Sequence, residues 1–210
     1  MLENDIPGTP GVESIDNRSF VLILQHPQEK RELLATAAVA CAALRRAALA
    51  VGLSWPNLAR VLGRPAEARR WAVLYLGSAR PAAFGSEREV IAFDRAGMPE
   101  VDQDTMLRGL EGVVLLDGSW SEAKTLWWRN PWLLKLRRLV LNPRHRSRFG
   151  ELRREPRREA LSTLEAAALL LRHLDGRPEI EAELLNRLDG LIREARSARQ
   201  LSLHHARGGG

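Results

Sequence analysis

Asp117-Gly118-Ser119-Trp120 is the stretch of this 210-residue chain whose residue types and spacing best suit chemistry. A carboxylate directly after the apolar run Val113 to Leu116, followed by a glycine and a helix start, stands where a bound ligand would meet it. Gly118 permits a tight turn and a close ligand approach, and amide N–H groups at a helix start can hold an anion such as a carboxylate. The same residues have a purely structural reading, in which Asp117 or Ser119 only caps the helix. Trp120 has no capping purpose, although it would equally suit a core. A second stretch, Leu161-Ser162-Thr163-Leu164-Glu165, fits the Ser-x-x-Glu capping box and opens a strongly apolar helix. Taken alone it needs no further explanation. A third, Leu24-Gln25-His26-Pro27, puts a histidine just past another apolar run. Five histidines and a single cysteine show no metal-ligand spacing, so no metal is expected.

Charge is the next signal. The net +6 comes from 32 Lys and Arg against 26 Asp and Glu, and only Lys30, Lys124 and Lys135 are lysines. Between Lys135 and Arg158, ten basic residues face only Glu151 and Glu155, a local +8 that leaves −2 for the remainder. Guanidinium forks match phosphate geometry and stack on bases. This segment, with Arg144, Arg146, Arg148, Arg153, Arg154, Arg157 and Arg158, therefore points to a polyanion such as nucleic acid. A solvated charged face is the plainer alternative. The cluster Trp127-Trp128-Arg129-Asn130-Pro131-Trp132 offers aromatic faces for a splayed base. Core packing is the favoured reading there, because adjacent helical residues cannot both face one ligand.

These residues need elements to position them. Phe20 to Leu24 has the pattern of a strand buried on both faces, stopped by Gln25-His26-Pro27 because proline cannot continue a ladder. Helical spacing follows from Glu29 to about Ala50. Trp71 to Leu76 reads as a strand closed by Gly77-Ser78-Ala79-Arg80-Pro81, Glu89 to Phe93 as a short edge strand, and Val113 to Leu116 as another buried strand. A helix runs from Ser119 to about Arg129, and Arg138 to Leu141 is a further strand. An apolar helix from Leu164 to Leu174 and an amphipathic one from Glu179 to about Arg199 complete the order. About five strands and four helices in this alternation predict an α/β fold, a parallel-type sheet flanked by helices. Such sheets bind ligands outside the carboxyl ends of their strands, which selects Gln25 to Pro27, Leu76 to Pro81, Asp117 to Trp120, and Asn142 to Thr163. The expected organisation is a flexible segment over 1–18, where Pro7, Gly8, Pro10 and Gly11 fall, one domain over 19–199, and a disordered tail over 200–210.

Composition bounds the setting. With 45% hydrophobic residues the chain can bury a core, which excludes wholesale disorder. No apolar run reaches the roughly 18 residues of a membrane span. Glu3 and Asp5 near the start are not the pattern of a secretory signal. Cys41, the one cysteine, excludes an intramolecular disulfide and a cysteine-built zinc site. The expectation is a soluble cytoplasmic protein with no membrane partner.

Three segments, taken in order, resemble the DTW-domain family. They are Leu24-Gln25-His26-Pro27-Gln28-Glu29 with Thr36 on the following helix, Leu116-Asp117-Gly118-Ser119-Trp120 with Ala123 and Lys124, and Leu161-Ser162-Thr163-Leu164-Glu165-Ala166. The family's Asp-x-Thr-Trp signature is matched with Ser119 in place of threonine, and the resemblance covers about Phe20 to Leu174. It implies a SPOUT-like fold with a C-terminal trefoil knot, an exception to the rule that chains are unknotted. It also implies S-adenosylmethionine bound at the knot, transfer of its 3-amino-3-carboxypropyl group, and N3 of a tRNA uridine as acceptor. A related branch modifies a pseudouridine in ribosomal RNA.

By the same resemblance the cofactor pocket takes in His26, Leu76, Gly77, Leu116, Gly118, Ser119, Trp120, Leu161, Ser162, Thr163 and Glu165. Asp117 is then the catalytic candidate, either as general base for the weakly acidic uridine N3–H or as the residue that orients the ligand loop. The arginine segment flanks the pocket as its RNA-facing rim. Many bacterial members carry an N-terminal cysteine cluster suited to zinc. This sequence shows only Cys41, which puts more of the RNA binding on the arginines. A monomer is favoured. The alternatives are an RNA methyltransferase of the same fold, an enzyme directed at rRNA, and a non-catalytic RNA-binding protein.

Overall fold

Apolar runs buried on both sides are most stable in the middle of a sheet covered by helices. The computed structural model describes residues 14–28, 35–74, 87–94, 97–148 and 161–207, with side chains through 198, and builds such a sheet. Its strands are β1 (Phe20–Gln25), β2 (Ala47–Val51), β3 (Trp71–Leu74), β4 (Val90–Phe93), β5 (Gly112–Asp117) and β6 (Arg137–Leu141). Their spatial order is β2-β1-β5-β3-β6-β4. All neighbours pair in parallel except β4, which runs antiparallel to β6 at the edge. The helices are α1 (Thr36–Ala43), α2 (Leu58–Leu62), α3 (Gln103–Arg108), α4 (Trp120–Arg129), α5 (Thr163–Asp175) and α6 (Pro178–Arg207). The α/β class, the mostly parallel sheet and the edge strand agree with the expectation from sequence.

Strand periodicity divides the core into two layers. Val21 and Ile23 of β1 join Val113 and Leu115 of β5 on the side of α1, α3, α5 and α6. Leu22 and Leu24 join Val114, Trp71 and Val73 on the side of α2 and α4. Trp71 lies across Gly112: a Cβ there would stand 2.8 Å from its ring and 2.7 Å from the Phe20 carbonyl oxygen. Only glycine lets the strands meet the indole this closely. On the opposite layer α5 is buried along most of its length and packs between the sheet and α6. Its ends are set by Ser162 at the N-cap and by Gly176, whose φ of 66° gives the left-handed turn that stops the helix.

The structure corrects three boundaries. The helix expected from Glu29 to Ala50 is α1 followed by a strand, β2; residues 29–34 lie outside the described residues. Ala47, Ala48 and Ala50 favour helix intrinsically, but the parallel ladder with β1, from Val21 opposite Ala47 to Gln25 opposite Val51, overrides that preference. The flexible segment expected through residue 18 is held in place from Ile15 onward. Ile15 N–H donates to Ala43 O at 2.8 Å, and the amides of Arg18 and Ser19 donate to the Asp175 carboxylate at 2.7 and 3.1 Å. The buried Asn17 side chain bridges to both Arg46 backbone groups. At the other end, helix continues to Arg207, through most of the expected disordered tail. Among the described residues, no helix is long and apolar enough to cross a membrane.

Candidate active site

β1 and β5 lie side by side and end together, with Gln25 opposite Asp117. From this seam the chain first moves outward to β2, while the later strands extend the sheet the other way. It is a topological switch point, where an open α/β sheet forms its ligand crevice.

Asp117 closes the seam. It is 6% exposed. Its Oδ2 accepts from Gln25 Nε2 at 2.7 Å, its Oδ1 accepts from the Thr163 hydroxyl, and its carbonyl accepts from the His26 amide at 3.0 Å. One residue thereby ties the end of β1 and the first residue of α5 to the end of β5. Both carboxylate oxygens are engaged within the protein.

The start of α4 is built by the turn after Asp117. Gly118 has φ +153°, and a Cβ on it would stand 2.9 Å from Glu122 Cβ and 3.4 Å from His26 Cβ. Ser119 caps α4 in a capping box with Glu122, whose Oε2 accepts from the Ser119 amide at 2.7 Å. The other oxygen of Glu122 lies 3.4 Å from His26 Nδ1. The cap therefore also faces the histidine that follows β1.

The start of α5 repeats this device with a longer reach. Glu165, buried, accepts from the Ser162 amide at 2.8 Å while its own amide donates to the Ser162 hydroxyl at 3.2 Å, the two bonds of a capping box, and the hydroxyl also donates to the carboxylate at 2.8 Å. It also accepts from the Ser147 hydroxyl at 2.7 Å and the Arg148 amide at 2.6 Å, fixing the loop after β6 against the helix.

Of the residues expected to form the pocket, His26, Leu116, Gly118, Ser119, Thr163, Ser162 and Glu165 meet around this seam. Leu161 precedes the α5 cap and packs on the α5 side of the core. Trp120 is 40% exposed, with Lys124 Nζ 5.6 Å from its ring centroid, so it is no part of the core. Leu76 and Gly77 lie outside the described residues.

The arginines divide. Arg148 pairs with Asp189 on α6 at 2.6 Å, and Arg146 is exposed. Arg144 donates to Glu87 O at 3.3 Å and borders a cavity of about 360 Å³ with Arg88, Asp104, Arg108 and His173, near the β4 edge of the sheet. None of the residues around Asp117 lines that cavity. Convergence of motif residues, rather than cavity size, marks the candidate site. Arg153, Arg154, Arg157 and Arg158 lie outside the described residues.

Core packing holds for Trp132, whose Nε1 donates to Trp55 O at 3.0 Å, and partly for Trp127. It fails for Trp128, which is 78% exposed. Position within the helix turn decides this, since Ala123 and Leu126 take the buried face of α4.

Three contributors were not singled out from sequence. Gln25 was marked by its strand end and by its place in the Leu24 to Glu29 segment, but neither gave it a role. Glu122 was legible, because Ser119-Trp120-Ser121-Glu122 is itself a Ser-x-x-Glu box. For Ser147 no sequence signal exists. Cys41 offers no alternative nucleophile: burial pushes its thiol above the ordinary range, which favours the unreactive protonated form.

A mostly parallel sheet whose topological switch point lies between the starts of α4 and α5, with Asp117 bonded to the end of β1 and the start of α5, is the arrangement in which open α/β sheets hold their ligands. The chain belongs to the DTW-domain family, whose family model, the DTW domain, matches residues 9–196. It is 31% identical over 183 residues to a Drosophila melanogaster protein named tRNA-uridine aminocarboxypropyltransferase 2, covering 83% of this chain and 64% of that one. It is 26% identical over 180 residues to a Macaca fascicularis protein of the same name, covering 82% of this chain and 53% of the relative. The chain thus matches between about half and two thirds of the length of these relatives. No solved structure matches it significantly.

Proposed function

We propose that the chain is a tRNA-uridine aminocarboxypropyltransferase, which moves the 3-amino-3-carboxypropyl group of S-adenosylmethionine to N3 of a tRNA uridine. The observation that carries this reading is the meeting of the three motif segments at Asp117, through Gln25, His26 and Thr163. The names of the two relatives agree with it.

S-adenosylmethionine supplies a sulfonium whose attached carbons are open to a nucleophile. The donors at the seam fit its amino-acid end. The α5 capping box uses the amides of Ser162 and Glu165, which leaves the first-turn amides of Thr163 and Leu164 for a carboxylate, where the helix dipole favours negative charge. Ser119 and the start of α4 stand on the other side of Asp117. Holding one end of the donor rigidly selects which carbon meets the acceptor, and positioning of this kind contributes several kcal/mol to a rate. Asp117, with both oxygens already hydrogen-bonded, suits the role of orienting residue better than that of base. Arg144 and Arg146, with Arg153, Arg154, Arg157 and Arg158, form the RNA-facing rim in this reading; Arg148 is partly committed to Asp189.

The same reading carries a SPOUT-like class with a C-terminal trefoil knot, a cytoplasmic location and a monomer. What supports the knot is that α5, entering after β6, has its start at the β1–β5 seam, on the far side of β3.

The deciding experiment is incubation with S-adenosylmethionine and unmodified tRNA, followed by nucleoside mass spectrometry. A uridine heavier by an aminocarboxypropyl group is the expected product. A methylated nucleoside would replace the reading with a methyltransferase, and an unmodified one would leave an RNA-binding protein.

A further inference from the structure

Away from the Asp117 seam, α4 turns toward solvent a face that its fold does not require. The exposed residues between Ser119 and Lys135 include two indoles, Trp120 and Trp128, together with Leu134 and three cations, Lys124, Arg129 and Lys135. The one acid of this stretch, Glu122, is half-buried and turned to the Ser119 amide and His26. Trp120, Lys124 and Trp128 recur every fourth residue, so they form one stripe along the helix. Its length is about 12 Å, on the order of three to four base-stacking steps. Trp128 gives the core almost nothing at 78% exposure, and it shares its exposed stretch with Trp120 and Leu134 rather than standing singly.

Charge chooses the occupant. A second copy docking the same face about a twofold axis would set these cations against their own equivalents. A nucleic-acid strand complements the face: it offers phosphates for Lys124 and Arg129, and on every base a flat π-surface for Trp128. Place agrees with charge. Trp120 directly follows Ser119, so a strand delivering a base to the Asp117 crevice crosses the upper end of this stripe.

We propose that the outer face of α4 is a stacking platform for single-stranded nucleotides flanking the target uridine, with Trp128 taking a base and Lys124 and Arg129 the neighbouring phosphates. This rests on the reading that the chain acts on RNA, and names how that same site grips its substrate.

The test measures binding of the full chain to unmodified tRNA and, separately, to a short oligouridylate over a range of salt. Trp128→Ala is expected to weaken both by about 5- to 150-fold, the range for loss of one base–indole stack. The slope of log Kd against log salt should not change, because no charge is lost. Trp128→Phe should restore most of the affinity, which also separates the effect from misfolding. Lys124→Gln should instead reduce the slope by about 0.7, the value for one phosphate contact on a single strand. Affinity for both RNAs within about twofold of wild type in Trp128→Ala overturns the proposal. So does a dimer in sedimentation that Trp128→Ala dissolves while RNA binding stays intact, which would make the face a protein interface. Since binding is read without group transfer, a wild type that binds RNA through Trp128 but transfers no aminocarboxypropyl group overturns only the enzymatic reading.

Discussion

Asp117 can be altered in a way that separates holding the site together from taking a proton. In Asp117→Asn the amide oxygen replaces Oδ2 and still accepts from Gln25 Nε2, 2.7 Å away in the native protein. The amide nitrogen replaces Oδ1 beside the Thr163 hydroxyl, which now donates to Asp117 but can rotate to accept. Each buried polar atom keeps a partner, and the loss is the weakening of two charge-assisted bonds, about 1 kcal/mol. Asp117→Ala removes both acceptors and strands the Gln25 amide at the seam. That costs roughly 2–4 kcal/mol, or a fall of roughly 4–16 °C in Tm for a chain of this size. If Asp117 orients the ligand loop, Asp117→Asn should melt near wild type and keep kcat within about tenfold, while Asp117→Ala loses both stability and turnover. The assay pairs thermal unfolding with mass-spectrometric turnover at saturating S-adenosylmethionine and tRNA. An Asp117→Asn protein that melts like wild type but has lost about 10²- to 10⁴-fold in kcat would refute the orienting role, because only a missing base produces that combination.

The other buried and charged groups make separate predictions. Glu165→Ala leaves the Ser162 and Arg148 amides and the Ser147 hydroxyl without their acceptor, an expected loss of about 3–5 kcal/mol in urea unfolding. Glu165→Gln should cost roughly 1–2 kcal/mol, since its oxygen can serve the three donors now on Oε2 and only the Arg148 amide meets an N–H₂ group. Asn130, fully buried, accepts from the Trp55 amide and Trp132 Nε1 and donates to Leu53 O and Leu126 O. Asn130→Ala should cost about 3–4 kcal/mol, and Asn130→Asp at least as much because it sets a carboxylate oxygen against two carbonyls. Glu111 is held below its ordinary carboxylate range, first by its hydrogen bond from Arg64 and then by the nearby charges of Arg64, Arg70 and Arg46. A lowered folded pKa gives stability that is fully present above the unfolded pKa and lost as pH falls through the folded one. The stability difference between wild type and Glu111→Gln should therefore be constant near neutrality and shrink below about pH 4.5, measured by urea unfolding across pH.

What could be read from sequence follows from which interactions are local. β1, β5 and α5 were legible because their apolar runs and stop signals lie within a few residues: Pro27 after β1, Gly118 after β5, Ser162 and Gly176 around α5. β2 was not, because Ala47 to Val51 favours strand only when β1 lies beside it, a contact across the whole of α1. Nor was the anchoring of Ile15 to Ser19, which depends on Asp175 at the opposite end of the fold. The site divides in the same way. His26, Asp117, Gly118, Ser119, Ser162, Thr163 and Glu165 were named from motifs, but the bond between Thr163 and Asp117 joins residues 46 apart and no spacing announces it. Trp128 shows the limit from the other side: composition marked the tryptophan cluster, and only the fold separates the exposed indole on α4 from the buried one at Trp132, past the end of that helix.

Capping and function compete as explanations for Ser119 and Ser162 as long as each motif stands alone, and the geometry shows that the two caps also join separate segments. In both helices the glutamate at the third position closes its cap with one oxygen and uses its carboxylate to reach another segment: Glu122 toward His26, and Glu165 to Ser147 and Arg148. A cap needs only the local bonds; the additional contacts bring the segments after β1 and β6 to the two helix starts. Fraying of the first turn of α5 would move Thr163 off Asp117, and with it the contact that registers this helix against the β1–β5 seam. If the proposed site holds the ligand, helix-end stability and ligand geometry are thus one equilibrium. A ligand that binds the closed arrangement must stabilise both helix starts together, by the logarithm of its concentration over its dissociation constant.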